Sequence, residues 1–221
     1  MKAETILIIG GTSSMGLATA KLASEKGFKV LVAGRDMFKL NDVASKIDVE
    51  IIQLDLLNEQ KVISVLAQLP KLDHIVVTVN APGSASSITE TNVGIAKIAF
   101  ERFWMNYRIL HLAKEYINPK GSITLISGSS SKTPLKGYGF WGTIHGAIES
   151  LAKNAALELA PVRVNVVSPG GIGLQPSRQL LEHYGKAENI AQAILSLVEN
   201  PAITNTKIDV DSGERQGDWN G

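Results

Sequence analysis

The residues with the clearest chemical meaning lie in a glycine-rich turn near the amino terminus. Directly after a short apolar run, the chain reads Gly10-Gly11-Thr12-Ser13-Ser14-Met15-Gly16. Small residues at a strand-to-helix turn let the backbone approach a diphosphate, and the next helix directs its free N–H groups and positive dipole end towards the phosphates. Ser14 is a candidate cap for that helix. The pattern favours a nucleotide site, although a tight turn that binds nothing has the same composition.

The second apolar run ends in Ala33-Gly34-Arg35, which holds the next candidate contact. An NAD site usually places an acidic residue here, where it accepts hydrogen bonds from the adenosine ribose. In this chain Gly34 takes that position and Arg35 follows, and a guanidinium favours the 2′-phosphate of NADP. We therefore predict NADP(H) as the cofactor. The alternative is a solvated arginine paired with Asp36.

These residues need elements to position them, and the chain alternates short apolar runs with longer amphipathic segments from end to end. The strand candidates are Thr5–Ile9, Lys29–Ala33, Val49–Leu54, His74–Asn80, Ser122–Ser127, Val162–Val167 and Lys207–Asp211. The helix candidates are Met15–Lys26, Leu40–Lys46, Glu59–Leu69, Ile95–Tyr116, Phe140–Leu159 and Ala187–Val198. Strands this apolar are expected to be covered on both faces. The alternation predicts an α/β fold in one domain over residues 1–221, a Rossmann-type doubly wound parallel sheet of about seven strands with helices on both faces.

Composition argues against several other classes of protein. The 221 residues carry a formal net charge of +1 and no run of lysine or arginine, so we expect no nucleic-acid partner. The chain has no cysteine, and its four histidines do not pair at metal-ligand spacing, so we predict neither thiolate chemistry nor a metal site. The apolar runs are too short for a secretory signal or a membrane span. We expect a cytoplasmic protein that acts on a small-molecule substrate.

The motifs together resemble the short-chain dehydrogenase/reductase family, and the match runs over nearly the whole chain. Residues 10–16 are similar to the family's T-G-x-x-x-G-x-G loop, with Ile9 for the threonine and Ser14 for the middle glycine. Further matching segments are Asp55-Leu56, Asn80-Ala81-Pro82-Gly83, Asn106, residues 147–149, residues 157–170 and residues 209–213. The resemblance implies cofactor contacts from Gly10, Thr12, Ser13, Ser14, Met15, Gly16, Arg35, Asp55, Leu56, Asn80, Ala81, Pro82, Pro169, Gly170 and Ile172.

The catalytic signature of that family is missing from the sequence. The resemblance implies a Tyr-x-x-x-Lys pair, an upstream serine and a helix asparagine, of which only Asn106 is retained. Trp141 takes the tyrosine position, His145 the lysine position and Gly128 the serine position, which is crowded by Ser127, Ser129, Ser130 and Ser131. An indole does not exchange a proton near neutral pH, and an unperturbed histidine is mostly neutral above pH 7. Efficient standard chemistry is therefore not expected.

Two hypotheses about function remain. In the first, the protein is an NADP(H)-dependent oxidoreductase acting on a carbonyl or alcohol, with Asn106, His145 and Tyr138 as a remodelled acid–base site. Tyr138 and His145 lie about one helical turn before and after Trp141, so the three share a face if the helix starts early. In the second, the chain is a catalytically weak or silent sensor of NADP(H) or a partner subunit, and His145 is a packed histidine. The resemblance implies a homodimer or homotetramer in either case.

Overall fold

The structure is a computed structural model that describes residues 3–80, 87–171, 179–183 and 185–214. Its strands are β1 (Thr5–Ile9), β2 (Lys29–Gly34), β3 (Glu50–Gln53), β4 (Leu72–Val77), β5 (Ile117–Ile126), β6 (Arg163–Pro169) and β7 (Lys207–Val210). Its helices are α1 (Ser14–Glu25), α2 (Met37–Ala44), α3 (Glu59–Leu66), α4 (Val93–Tyr116), α5 (Gly139–Glu158) and α6 (Ala187–Glu199). A short 3-10 helix covers Ser129–Ser131.

The seven strands form one parallel sheet in the order β3-β2-β1-β4-β5-β6-β7. The chain first builds outwards from β1 to β3 and then returns to place β4 on the other side of β1. The crossovers that leave β1 and β4 therefore diverge, which opens a crevice at the carboxyl ends of these two strands. The predicted doubly wound sheet is confirmed.

Helices cover both faces of the sheet, as the apolar strands require. Buried residues of α3, α4 and α5 form one core with the sheet, and those of α1, α2 and α6 form the other. Every residue of β1 and of β6 is buried. In the described part of the chain, no helix has the length and apolar character needed to cross a bilayer.

Each predicted strand and helix is found, and the differences lie at the ends. The largest is in β5, which begins at Ile117, five residues before the predicted start. The fourth strand ends at Val77, three residues before the predicted end at Asn80. Because residues 78–80 leave the sheet, their side chains are free to line the crevice at its carboxyl edge.

Candidate functional site

The glycine-rich turn follows β1 and packs closely against the residue that follows β4. Gly10 has a φ of +92°, a conformation that favours glycine, and a Cβ built there would lie 2.8 Å from Thr78 Oγ1. A Cβ on Gly16 would collide with the carbonyl oxygen of Gly10. These contacts leave room for backbone only, so the turn lies flat against the sheet edge and its N–H groups can approach a ligand.

Helix α1 begins at Ser14, one residue earlier than predicted. Its N-cap is therefore Ser13, whose side chain makes no capping bond, and the predicted capping role of Ser14 is wrong. Ser14 instead has a φ of +48°, in the left-handed region, at the position of the family's middle glycine. The first turn of α1 has no acidic residue, so its N–H groups and dipole remain available to an anion.

A groove of about 240 Å³ runs from this turn across the ends of β2 and β3. Its lining includes Gly34 and seven of the residues expected to contact the cofactor, namely Gly10, Thr12, Ser13, Arg35, Asp55, Leu56 and Asn80. Lys39, which the sequence did not single out, adds a second cation beside Arg35. The groove thus brings together the glycine-rich turn and two cationic side chains, Arg35 and Lys39.

Asp36 does not act as an ion-pair partner for Arg35 among the described residues. Its carboxylate caps α2 instead, because Oδ1 accepts hydrogen bonds from the backbone N–H groups of Phe38 (2.9 Å) and Lys39 (3.3 Å). An acid occupied in this way leaves the Arg35 guanidinium available to another anion.

A second cavity, of about 320 Å³, lies at the carboxyl ends of β5 and β6. Its lining includes Met15, Asn80, Arg102, Ser130, Tyr138, His145, Pro169, Gly170 and Glu214. Asn80 lines both cavities, so the groove and the cavity adjoin. Ala81, Pro82 and Ile172, which the resemblance assigns to the cofactor, lie outside the described residues.

The His145 imidazole forms part of the cavity wall and is held at both nitrogens. Arg102 Nη1 lies 2.8 Å from Nε2, and Ser130 Oγ lies 2.9 Å from Nδ1. A guanidinium only donates hydrogen bonds, so Nε2 must accept, and the proton of the neutral ring is on Nδ1. Nδ1 therefore donates to the Ser130 hydroxyl oxygen. The contacts fix one tautomer of His145.

Burial and charge keep this imidazole neutral. Burial first, and the neighbouring Arg102 cation second, lower the pKa of His145 to about 3. Burial also lowers the pKa of Arg102 to about 10, which still leaves its guanidinium charged at neutral pH. The pair is therefore a cation bonded to a neutral ring, and the ring has no proton to give through an imidazolium form near pH 7.

The comparisons with known proteins agree with this architecture. A family model described as "Enoyl-(Acyl carrier protein) reductase" matches residues 10–214. The chain belongs to the short-chain dehydrogenase/reductase family. A curated member, the short-chain dehydrogenase/reductase ATR9 of Stachybotrys chlorohalonatus, is 29% identical over 96% of this chain and 97% of its own length.

Two solved structures of short-chain dehydrogenases/reductases are also similar to this protein. The MalC Reductase/Diels-Alderase from Malbranchea aurantiaca has a TM-score of 0.86 and 27% identity, covering 97% of this chain and 96% of that one. A small-chain dehydrogenase in complex with NADPH has a TM-score of 0.81 and 28% identity, covering 98% of this chain and 100% of that one.

The positions that correspond to the family's catalytic serine and lysine meet at one point in this protein. A Cβ on Gly128 would lie 2.5 Å from Cε1 and 2.7 Å from Nδ1 of His145. The φ of Gly128 is −177°, which any residue adopts, so the backbone does not require glycine there. The imidazole therefore fills the space in which a serine side chain would begin.

The other catalytic candidates lie around this ring. The Trp141 indole is stacked on His145 with ring centroids 6.1 Å apart, but Trp141 does not line the cavity. Tyr138 immediately precedes α5, lines the cavity and is 52% exposed. Asn106 is buried, and its Nδ2 donates to the Arg102 carbonyl at 2.7 Å. The structure thus brings His145 and Tyr138 to the cavity, with Asn106 behind it.

Two charged residues of the cavity were missed by sequence reasoning. Arg102 is only 6% exposed and lies one helical turn before Asn106 on α4, so its spacing from that asparagine was a usable signal. Glu214 is 1% exposed and accepts hydrogen bonds from the Gly171 N–H at 2.9 Å and the Ser129 hydroxyl at 3.4 Å. Nothing in its local sequence distinguishes Glu214 from a surface glutamate.

Proposed function

We propose that the protein is an NADP(H)-dependent oxidoreductase that transfers a hydride between the nicotinamide and a carbonyl or alcohol substrate. The observation that carries the proposal is that Asn80 lines both the groove and the second cavity. A groove suited to the adenosine diphosphate half of a dinucleotide thus adjoins a largely apolar cavity of about 320 Å³, whose lining also includes Arg102, His145 and Glu214. NADPH bound in this way would supply the hydride from C4 of its nicotinamide.

The residues of the groove fit a phosphorylated dinucleotide. Thr78 packs so close to Gly10 that the turn has no room for a side chain there. A turn of small residues is what lets a diphosphate approach the backbone. The uncapped N-terminus of α1 faces an anion favourably. Gly34 replaces the acid that would repel a 2′-phosphate, and Arg35 and Lys39 offer it two cations. The NADPH complex of a similar protein supports the same assignment.

Three residues carry the remodelled acid–base site in this proposal. Tyr138, half-exposed at the cavity, is the candidate for proton exchange with the substrate or solvent. His145 has both ring nitrogens bonded, so it acts by linking Arg102 to Ser130. Asn106 donates a hydrogen bond from Nδ2 to the backbone carbonyl of Arg102. Its buried Oδ1 has no partner among the described residues, so this oxygen is a free hydrogen-bond acceptor behind the cavity.

The test is binding and consumption of NADPH by the purified protein with a panel of aldehydes, ketones and quinones. We expect saturable binding of NADPH and its oxidation with at least one member of the panel. Tight binding with no oxidation across the panel would replace this proposal with that of a silent NADP(H) sensor or partner subunit.

The choice of NADPH over NADH is tested separately by Arg35→Ala. Loss of one charged hydrogen bond to the 2′-phosphate should weaken NADPH binding about tenfold and leave NADH binding unchanged. Lys46→Ala is the matched control, because Lys46 lies beyond the end of α2 and pairs with Asp42 at 2.7 Å. An unchanged preference in Arg35→Ala would refute the NADP assignment.

A homo-oligomer is part of the same proposal. Helix α4 leaves Ile98, Trp104 and Tyr107 substantially exposed along one stretch of its surface, with Phe100 and Phe103 packed between them. An apolar, aromatic helix surface of this kind is typical of a protein–protein contact. The family resemblance implies subunit packing through two long helices, which correspond to α4 and α5 in this protein.

A further inference from the structure

Glu214 is a buried carboxylate in the wall of the second cavity, and only part of its hydrogen-bonding capacity is used. It lies just after β7 and is 1% exposed. Its Oε2 accepts from the Gly171 N–H at 2.9 Å, and its Oε1 accepts from the Ser129 hydroxyl at the longer distance of 3.4 Å. An ionised carboxylate has about four lone-pair sites for donors. The described residues therefore leave Glu214 able to accept further hydrogen bonds.

The same carboxylate has no cationic partner among the described residues. No ion pair there includes Glu214, and both of its hydrogen bonds come from neutral groups. Burial destabilises a carboxylate unless donors or positive charge compensate it. Arg102 lines the same cavity, but its guanidinium bonds His145 and the Ile126 carbonyl instead. The cavity therefore presents an acceptor at Glu214 that is separate from the donors at Arg102.

Backbone contacts hold Glu214 against the loop that follows β6. Its N–H donates to the Asp211 carbonyl at 2.9 Å, and the Gly170 N–H donates to the Val210 carbonyl at 2.9 Å. A Cβ on Gly170 would collide with Oε2 of Glu214, so the carboxylate packs directly on the Gly170 backbone. The protein itself thus sets the position of this acceptor in the cavity wall.

The proposed cofactor carries a group with the complementary chemistry. In the proposed function the groove holds the adenosine half of NADP(H), so the nicotinamide half enters the adjoining cavity. The nicotinamide ring bears a primary amide, whose nitrogen has two N–H donors, and the oxidised ring is a cation. Among the described residues that line this cavity, Glu214 has the only carboxylate. An amide N–H and a positive ring are both matched by this side chain.

We propose that Glu214 accepts a hydrogen bond from the carboxamide of the bound nicotinamide and favours the oxidised, cationic ring over the reduced one. This inference rests on the NADP(H) binding proposed above. Glu214 then orients the ring and takes no part in hydride or proton transfer. The Arg102 cation acts on a cationic ring in the opposite sense, so the effect of Glu214 is measured as a difference between proteins in which Arg102 is unchanged.

Cofactors that differ only in the ring substituent test the contact in the wild-type protein. We would measure Kd by isothermal titration calorimetry for NADP⁺, for its 3-acetylpyridine analogue, which lacks the amide N–H groups, and for its nicotinic acid analogue, which carries a carboxylate. The acetylpyridine analogue should bind about tenfold more weakly than NADP⁺, through loss of a hydrogen bond to a charged acceptor. The nicotinic acid analogue should bind about 10²-fold more weakly, because two carboxylates would meet.

The results separate this inference from the proposed function. A nicotinic acid analogue that binds as tightly as NADP⁺, or more tightly, would overturn the inference, since the ring substituent would then face Arg102 or solvent. Equal binding of the acetylpyridine analogue would also overturn it and would leave Glu214 to a donor group of the substrate. No measurable binding of NADP⁺ or NADPH would overturn the proposed function itself.

Glu214→Gln then separates the charge of the side chain from its shape, because glutamine keeps an acceptor for the Gly171 N–H. The preference for NADP⁺ over the nicotinic acid analogue should fall at least about tenfold, and the ratio of Kd for NADP⁺ to Kd for NADPH should rise about three- to tenfold. Glu149→Gln is the matched control, because Glu149 also accepts from two serine hydroxyls, of Ser127 at 2.8 Å and Ser131 at 2.6 Å, but does not line the cavity. Equal changes in the two variants, or no change in Glu214→Gln, would contradict the role of Glu214. If Glu214→Gln does not fold, the series of cofactors in the wild-type protein still decides.

Discussion

Replacing Gly128 by serine, the residue that the family resemblance expects, should damage this protein. The new Cβ would lie 2.5 Å from His145 Cε1 and 2.7 Å from Nδ1, distances that real Cβ atoms essentially never show. The ring cannot easily move aside, because Arg102 and Ser130 hold its two nitrogens at 2.8 and 2.9 Å. Either the ring or the strand end must shift, and at least one of those hydrogen bonds is lost.

The cost follows from these two effects. Overpacking a well-ordered site costs about 1–3 kcal/mol, and losing a hydrogen bond between buried groups costs about 0.5–1.5 kcal/mol or more when one partner is charged. We therefore expect Gly128→Ser to lower the free energy of unfolding by about 2–4 kcal/mol. Backbone strain contributes nothing, because the φ of −177° suits serine as well as glycine.

Urea unfolding measures this cost, and two further variants identify its cause. Gly146→Ala is the matched control on α5, since a Cβ there meets nothing within 4 Å and alanine stabilises a helix by about 0.5–1 kcal/mol relative to glycine. In a His145→Ala background the ring is absent, so Gly128→Ser should cost much less than in the wild-type protein. The reasoning would be refuted by an unchanged cost in that background.

Three other predictions concern pH, capping and assembly. The pKa of His145 is lowered from 6.5 to about 3 on folding, so the unfolded chain binds the proton first as pH falls. The free energy of unfolding should therefore decline between about pH 6.5 and pH 3, by up to about 1.4 kcal/mol per pH unit. The free energy measured by urea unfolding should depend less steeply on pH in His145→Gln than in the wild-type protein, and an equal pH dependence would contradict this. Asp36→Ala should lower the free energy of unfolding by about 1 kcal/mol through loss of the α2 cap, while Asp36→Asn should not, and equal stabilities would argue against the cap. Trp104→Glu should dissociate a homo-oligomer and so reduce the sedimentation coefficient. Phe38→Glu is the control, because Phe38 on α2 is 83% exposed and its replacement should leave the sedimentation coefficient unchanged. An unchanged coefficient in Trp104→Glu would show that the subunit contact lies elsewhere.

Most of the fold could be predicted from the sequence because the strands are nearly unbroken apolar runs. Such runs are buried on both faces, as β1 and β6 are, and their order along the chain defines the doubly wound sheet. Strand ends were less predictable. In sequence, Thr78 continues the β-branched run of β4. In the structure, its N–H and its hydroxyl both donate to the Ile9 carbonyl, at 2.9 and 3.1 Å, and the strand ends there at the edge of the crevice.

The candidate site could be predicted only where contacts are local in sequence. The helical spacing of Trp141 and His145 indicated that their rings lie close together, but it could not show that Trp141 stacks on the imidazole without lining the cavity. Arg102 reaches His145 across 43 positions of the chain. A long cationic side chain on an amphipathic helix usually extends to solvent, so only the fold reveals that this one turns inwards.

The departures from the family's catalytic residues are physically coupled, and this bears on whether the site still functions. An imidazole at position 145 requires the absence of a side chain at position 128, and it accepts the hydrogen bond that Arg102 needs. A site that had merely lost its function would gain nothing from a buried guanidinium that has no carboxylate partner among the described residues, because burying it costs several kcal/mol of desolvation. Under the proposed function, the cation, the neutral ring and the serine hydroxyl fit a replaced catalytic apparatus better than an abandoned one.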